Sequence, residues 1–356
     1  MQISVVCPGE LGPGEIAAWH SIRRQTGSLA SPFLCPEFAV AVGRVRPDAR
    51  VALLADGPDI VGFFPFQRRR LGVGVPIGAG LSNCQGLIHA PGAEWDAREL
   101  LRACQLSVWQ FDCLTEGQRM LAGYAAAVAR SPVIDLADGF AAYRGKLRAK
   151  SPKFCKDLAR KTRQLEREAG ELRFVVDSRD MADLRTLMRW KSDQYRRTGW
   201  IDFFDRPWVI ALLDDLFSTH TDQFGGLLSV LYAGRARVAA HFGLRSGHLL
   251  AGCYPAYDPR FSRQSPGLIH HLREVEEIAA LGVQLIDMGK GPEPYKQTLK
   301  SYDLFVAEGM VTRAPLLAAA HRARTSAVRW AGPRIRRHPY LFRAADRLLR
   351  HYGRTT

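Results

Sequence analysis

The chain has 356 residues, 47% of them hydrophobic, with a formal net charge of +15 and seven cysteines. That balance excludes a disordered or collagen-like chain, and the length favours two globular bodies over one. The charge is uneven: residues 144–169 hold ten Lys/Arg against three acids, residues 316–356 hold ten Arg against Asp346, and the remainder is close to neutral.

An odd cysteine count without Cys-x-x-Cys or metal-like Cys/His spacing predicts reduced thiols, a cytoplasmic chain and no bound metal. Cys35, Cys84, Cys104, Cys113 and Cys253 sit among apolar residues and read as small core fillers. Residues 1–7 read as a first strand rather than a signal peptide, since no charged flank precedes an apolar core. No uncharged apolar run is long enough to span a membrane.

In chain order, residues 2–7 predict a strand, and 15–25 and 36–45 predict helices. Residues 51–55 and 60–66 flank Asp56-Gly57-Pro58-Asp59 as a hairpin. A Gly-rich stretch, a helix over 97–106 and a strand over 107–113 follow. Residues 143–170 predict a basic helical connector. After a strand at 172–176 come helices at 181–198 and 207–219, then three β-rich runs at 227–232, 238–244 and 248–257 divided by Gly turns, an antiparallel meander. Ser265 and Pro266 mark an N-cap and first helical position for a helix carrying Leu268, Ile269, Leu272, Val275, Ile278 and Leu281 on one stripe. A strand at 283–287 leads into Gly289-Lys290-Gly291 and Glu293-Pro294-Tyr295-Lys296.

The two halves share the order helix, helix, meander, helix, strand. This predicts an α+β fold of mixed, predominantly antiparallel sheets flanked by helices, in tandem units with the first degenerate. The expected divisions are 1–135, a connector at 136–170, a catalytic unit at 171–313, and an Arg-rich helical tail at 314–356. A basic Ser/Gly loop opening a helix is an anion site, because free N–H groups and the helix dipole converge there; Arg260 and Arg263 would add charge.

The strand run, Gln264-Ser265-Pro266-Gly267 at a helix start and Gly291-x-Glu293-x-Tyr295-Lys296 resemble the GNAT (N-acetyltransferase) fold. With Trp190-Lys191-Ser192-Asp193-Gln194-Tyr195 and Ser151-Pro152-Lys153, the chain resembles more closely the CelD-like acetyltransferases associated with cellulose biosynthesis, relatives of the Fem peptidyltransferases, over most of residues 31–311. The resemblance implies acyl-CoA as cosubstrate, held by Tyr254, Arg260, Arg263, Gln264, Ser265 and Gly267. It implies Tyr295 as general acid to the leaving thiolate and Lys296 as a cation for developing charge. A base would come from Asp287, His241 or Glu293, with Asp287 first; His241 reads equally as a satisfied core histidine. Trp190, Lys191, Gln194, Tyr195 and Asp202 would meet the acceptor, although Trp190 also reads as core with the polar residues facing water.

The implied reaction is acyl-CoA-dependent N- or O-acylation of a small-molecule or glycan acceptor, a sugar or polysaccharide precursor. Its rivals are a Fem-like transferase using aminoacyl-tRNA and a non-catalytic scaffold of a polysaccharide synthase complex. The connector reads first as a solvated helix, then as a phosphate contact. Nucleic acid comes last, because only Tyr143 and Phe154 accompany the charge. The tail suits an anionic inner-membrane face or a synthase partner, or packing across the domain.

Overall fold

Residues 1–291 and 293–313 are described by the structure, a computed structural model. The first half runs β1 (Gln2–Val6), α1 (Pro13–Arg24), α2 (Pro36–Val45), β2 (Ala49–Asp56), β3 (Asp59–Arg68), β4 (Val73–Pro76), β5 (Ile88–His89), α3 (Ala97–Ala103), β6 (Val108–Leu114) and β7 (Ala125–Asp135). Two helices, α4 (Gly139–Lys150) and α5 (Pro152–Ala169), form the connector. The second half runs β8 (Leu172–Val175), α6 (Met181–Thr198), α7 (Pro207–Ser218), β9 (Gly225–Ala233), β10 (Ala236–Ser246), β11 (Leu249–Tyr257), α8 (Pro266–Ala280), β12 (Leu285–Asp287), α9 (Pro294–Leu299) and β13 (Tyr302–Thr312).

All the strands join one sheet in the order β1-β2-β3-β4-β6-β13-β7-β12-β11-β10-β9-β8, with β5 beside β3. Neighbours are antiparallel except β4 with β6 and β11 with β12. The fold is therefore α+β, a mixed, predominantly antiparallel sheet flanked by helices. Each half contributes a strand, two helices, an antiparallel meander, a helix and a parallel strand.

The halves also exchange strands. β7 follows β6 in the chain yet pairs with β12 of the second half, and β13 follows β12 yet pairs with β6 of the first. The two exchanged strands then pair with each other from Tyr302↔Val133 to Gly309↔Ala125. Core packing crosses the same boundary: Trp19, Phe38 and Phe63 share one buried cluster with Leu187, Leu212 and Phe242.

Several local expectations shift. Neither β7 nor β13 was among the expected strands. Leu281, placed on the apolar stripe of α8, lies past the end of that helix and is 46% exposed. The expected helix over 97–106 stops at Ala103. The connector divides at Ser151, with Pro152 starting α5, where its missing N–H costs nothing. Leu158 and Leu165 of α5 are buried against Leu231, Val238 and Ile269. Burying each contributes roughly 1.5–3 kcal/mol. A surface pair such as Arg160–Asp157 is screened by water and adds little. The apolar stripe, not the charge, holds this helix down.

Candidate active site

β11 and β12 pair only over Leu249–Ala251 and Leu285–Asp287. Past Ala251 the two strands part. On the other edge of β11, a bulge between Phe242 and Gly243 of β10 leaves Cys253 with no opposite residue. Two cavities open there. One, of about 1000 Å³, lies between the parted strands, α6 and α9. The other, of about 540 Å³, lies against the start of α8 beside Ser262, Ser265 and Gly267. They share Lys191, Gln194, Pro255, His271, Glu293 and Tyr295, so the helix mouth and the inner chamber form one cleft.

At the inner end Glu274 gathers three neighbours. Its carboxylate accepts from His241 Nδ1 at 2.8 Å and from the Ser229 hydroxyl, and His271 Nδ1 lies at 3.6 Å. Burial alone would raise the Glu274 pKa, but the adjacent imidazoles His241, His271 and His270 outweigh it and hold the carboxyl well below its usual range. An ionised carboxylate only accepts, so His241 donates from Nδ1, which leaves Nε2 as the ring nitrogen without that partner. That Nε2 faces Gly252, where a Cβ would stand 3.1 Å away. Burial pushes His270 down to about 3 and keeps it neutral. His241, His271 and Glu274 bring one donor atom each within 4.8 Å of one another, a spacing a metal ion could also bridge.

Tyr295 lines both cavities and stacks on His271, ring centroids 5.2 Å apart and 12° between planes. Burial pushes its phenol above the ordinary range, with Glu293 and Glu274 adding to the effect. It is thus a proton donor at neutral pH. Lys296 is buried and already engaged: its ammonium donates to Gly289 O at 3.1 Å and Lys290 O at 3.3 Å, and pairs with Glu293 at 3.0 Å. The role of free cation expected of Lys296 fits Lys191 better. Lys191 donates to Pro255 O at 3.1 Å and forms no ion pair among the described residues. Burial lowers its pKa to about 8.

Of the expected acceptor contacts, Lys191, Gln194 and Tyr195 line the inner chamber. Trp190 does not; it packs against the main core cluster. Asp202 does not line it either, because its carboxylate caps Phe204 N and binds Ser192 and Arg196, holding the aromatic loop after α6. The first half adds Gly80, Leu81 and Asn83 to the wall, and Asn83 donates to Gly252 O at 3.1 Å.

At the helix mouth Ser265 and Gly267 line the cleft, with Ser265 at φ 55° as the residue before α8. Its hydroxyl does not cap the helix; it contacts Lys161 Nζ at 3.0 Å, which brings the connector's charge to this end. Three expected ligands of a diphosphate point elsewhere. Arg260 is committed to Asp258, Gln264 donates to Glu168 of α5, and Arg263 is exposed outside the cavity lining. Tyr254 is buried in the inner chamber against Phe204, away from the mouth. Asp287, first in line as base, is turned from the cleft: one oxygen accepts from Ser131 Oγ at 2.7 Å and Gly289 N at 2.9 Å, and burial raises its pKa despite both bonds. The residues that sequence reasoning missed are Glu274 and His271. Their signal was His271-x-x-Glu274, one turn apart on α8.

Residues 152–297 match the family model described as an acetyltransferase (GNAT) domain. No curated protein matches the chain. Among solved structures, the C-terminal domain (DUF2156) of an Agrobacterium fabrum protein assigned as a lysylphosphatidylglycerol synthetase superposes with a TM-score of 0.52 at 11% identity, over 88% of this chain and 96% of that one. FemX superposes with a TM-score of 0.52 at 10% identity, over 87% of this chain and 96% of that one. At such identity the likeness is one of fold. The part of the chain from α5 to α9, which supplies most of the cleft's lining, is the part similar to an acetyltransferase (GNAT) domain.

Proposed function

We propose that the chain transfers an acyl group from acyl-CoA to an amine or hydroxyl of a sugar or polysaccharide precursor. The observation that supports this most is the single cleft running from the amino end of α8, past the Tyr295 hydroxyl, to the free Nε2 of His241. The Gly267 N–H and the positive end of the α8 dipole, with Lys161 nearby, suit the donor's diphosphate. The unopposed backbone at Cys253 and the Lys191 ammonium suit the carbonyl oxygen as it gains charge. His241 takes the proton of the attacking amine or hydroxyl at Nε2, and Glu274 stabilises the resulting imidazolium. As the tetrahedral adduct collapses and the C–S bond breaks, Tyr295 gives its proton to the departing thiolate. The phenolate is then reprotonated from solvent while His241 releases its proton. Apolar and aromatic walls, Leu81, Tyr195 and Phe203 among them, suit the face of a sugar ring.

Titration calorimetry with acetyl-CoA, longer acyl-CoAs and aminoacyl-tRNA, followed by thiol release with amino-sugar acceptors, tests the reading. Acyl-CoA is expected to bind the wild type and Tyr295→Phe alike, with turnover about 100-fold lower in the variant. Binding of aminoacyl-tRNA alone would assign a Fem-like transfer instead, and binding of neither donor would leave a scaffold.

A further inference from the structure

A third cavity, of about 420 Å³, lies outside the cleft in the groove between α4, α5 and α8. Its floor is apolar, formed by Leu147, Leu158, Ile269 and Leu272. Its rim carries Arg144 and Arg148 from α4, Arg163 from α5 and Arg273 from α8. Glu276, which pairs with Arg273 at 3.3 Å, is the sole acid in the lining. Arg144, Arg148 and Arg163 form no ion pair among the described residues. An apolar trough ringed by unspent guanidinium groups matches a molecule with an anionic head and a hydrocarbon body.

Charge selects among the occupants. The segment 314–356, with its excess of Arg over a lone Asp346, would be repelled by this rim. A nucleic acid would satisfy the arginines, but stacking of bases needs exposed aromatic faces and the lining offers Phe140 alone. We infer that the α4–α5–α8 groove is a binding site for an anionic phospholipid, which docks the chain on a membrane surface with the phosphate on the arginine rim and an acyl segment on the floor. No described helix is long and apolar enough to cross a membrane, so the attachment is peripheral. Phe154 faces the cleft at the mouth of α8 and the adjacent Cys155 faces the groove, so docking would set the cleft beside the lipid. The inference stands on the groove alone and does not need the acyl-transfer reading.

Flotation of the full chain with phosphatidylcholine vesicles, with and without phosphatidylglycerol, tests it. Binding is expected only with phosphatidylglycerol. The Arg144→Gln/Arg148→Gln/Arg163→Gln variant should bind roughly 100-fold more weakly, about fivefold per charge removed. Ala159→Phe, which fills the groove from an exposed position and leaves every arginine, should lose affinity several-fold with its circular dichroism unchanged. Wild-type affinity in either variant would overturn the site, as would equal binding to uncharged vesicles. Arginine-dependent binding of tRNA without vesicle binding would reassign the face to nucleic acid and overturn the lipid proposal.

Discussion

His241 Nδ1 lies 2.8 Å from both carboxylate oxygens of Glu274, a strand residue and a helix residue joined at the inner end of the cleft. The pair aims one histidine nitrogen at the chamber and fixes which nitrogen is free.

On the proposed mechanism, Glu274→Gln keeps an acceptor for Nδ1 but removes the charge that would stabilise the imidazolium. Turnover is expected to fall roughly 100-fold or more with little change in donor binding. Stability gives a second readout. The folded-state pKa of Glu274 is depressed, so its contribution is present above the ordinary carboxylate range and is lost as pH falls through the depressed value. Acid unfolding of the glutamine variant should lack that component.

Gly252→Ala tests access to the base. A methyl there would stand 3.1 Å from His241 Nε2 and 3.3 Å from Cε1, tighter than ordinary packing. Turnover should drop at least about tenfold through blocked approach, a small shift having large kinetic cost. Affinity for the proposed acyl-CoA donor should hold.

Asp287→Asn separates a positioning residue from a base. An asparagine oxygen can still accept from Ser131 and Gly289, so turnover should stay within about fivefold of wild type. A loss of roughly 100-fold or more, the scale of a missing base, would return Asp287 to catalysis.

Lys191→Met should stabilise the fold at neutral pH by on the order of 2 kcal/mol, because the wild type holds a charge out of water there. The Lys191 pKa falls from an ordinary 10.5 to about 8 on folding. Between those values the unfolded chain holds a proton that the folded chain has shed, so wild-type stability rises with pH. Urea melts at about pH 7 and pH 10, on either side of the folded value, should show the gap between variant and wild type closing at the higher pH.

Strand exchange makes the halves interdependent. A fragment of residues 136–313 lacks β7 and leaves β12 and β13 without their partner. It should aggregate or melt without cooperativity, whereas the whole chain should unfold in one transition by calorimetry. An independently folded fragment would count against this coupling.

Features set by near neighbours in the chain were legible. α2 runs from Pro36 to Val45 as expected, and the meander β9–β10–β11 follows its Gly turns. Pro266 opens α8 because only the first turn tolerates a residue without an N–H. β7 escaped notice because Ala125-Ala126-Ala127-Val128-Ala129 favours helix in isolation; β12 and β13 on either side make it a strand.

The site shows the same division. Tyr295 stood out through the resemblance carried by Gly291-x-Glu293-x-Tyr295-Lys296, and the start of α8 through Ser265 and Pro266. His241 resembled a lone core histidine, since its partner Glu274 lies 33 residues away on another element. Ser265 resembled a cap until Lys161, 104 residues away, took its hydroxyl. The amino-acid sequence by itself determined most of the helices and the hairpin and meander strands, because periodicity and capping act within a turn or two. Which carboxylate meets which imidazole, which cation stays unpaired and which half owns a strand were decided only when the sheet closed, because those contacts join residues far apart in the chain.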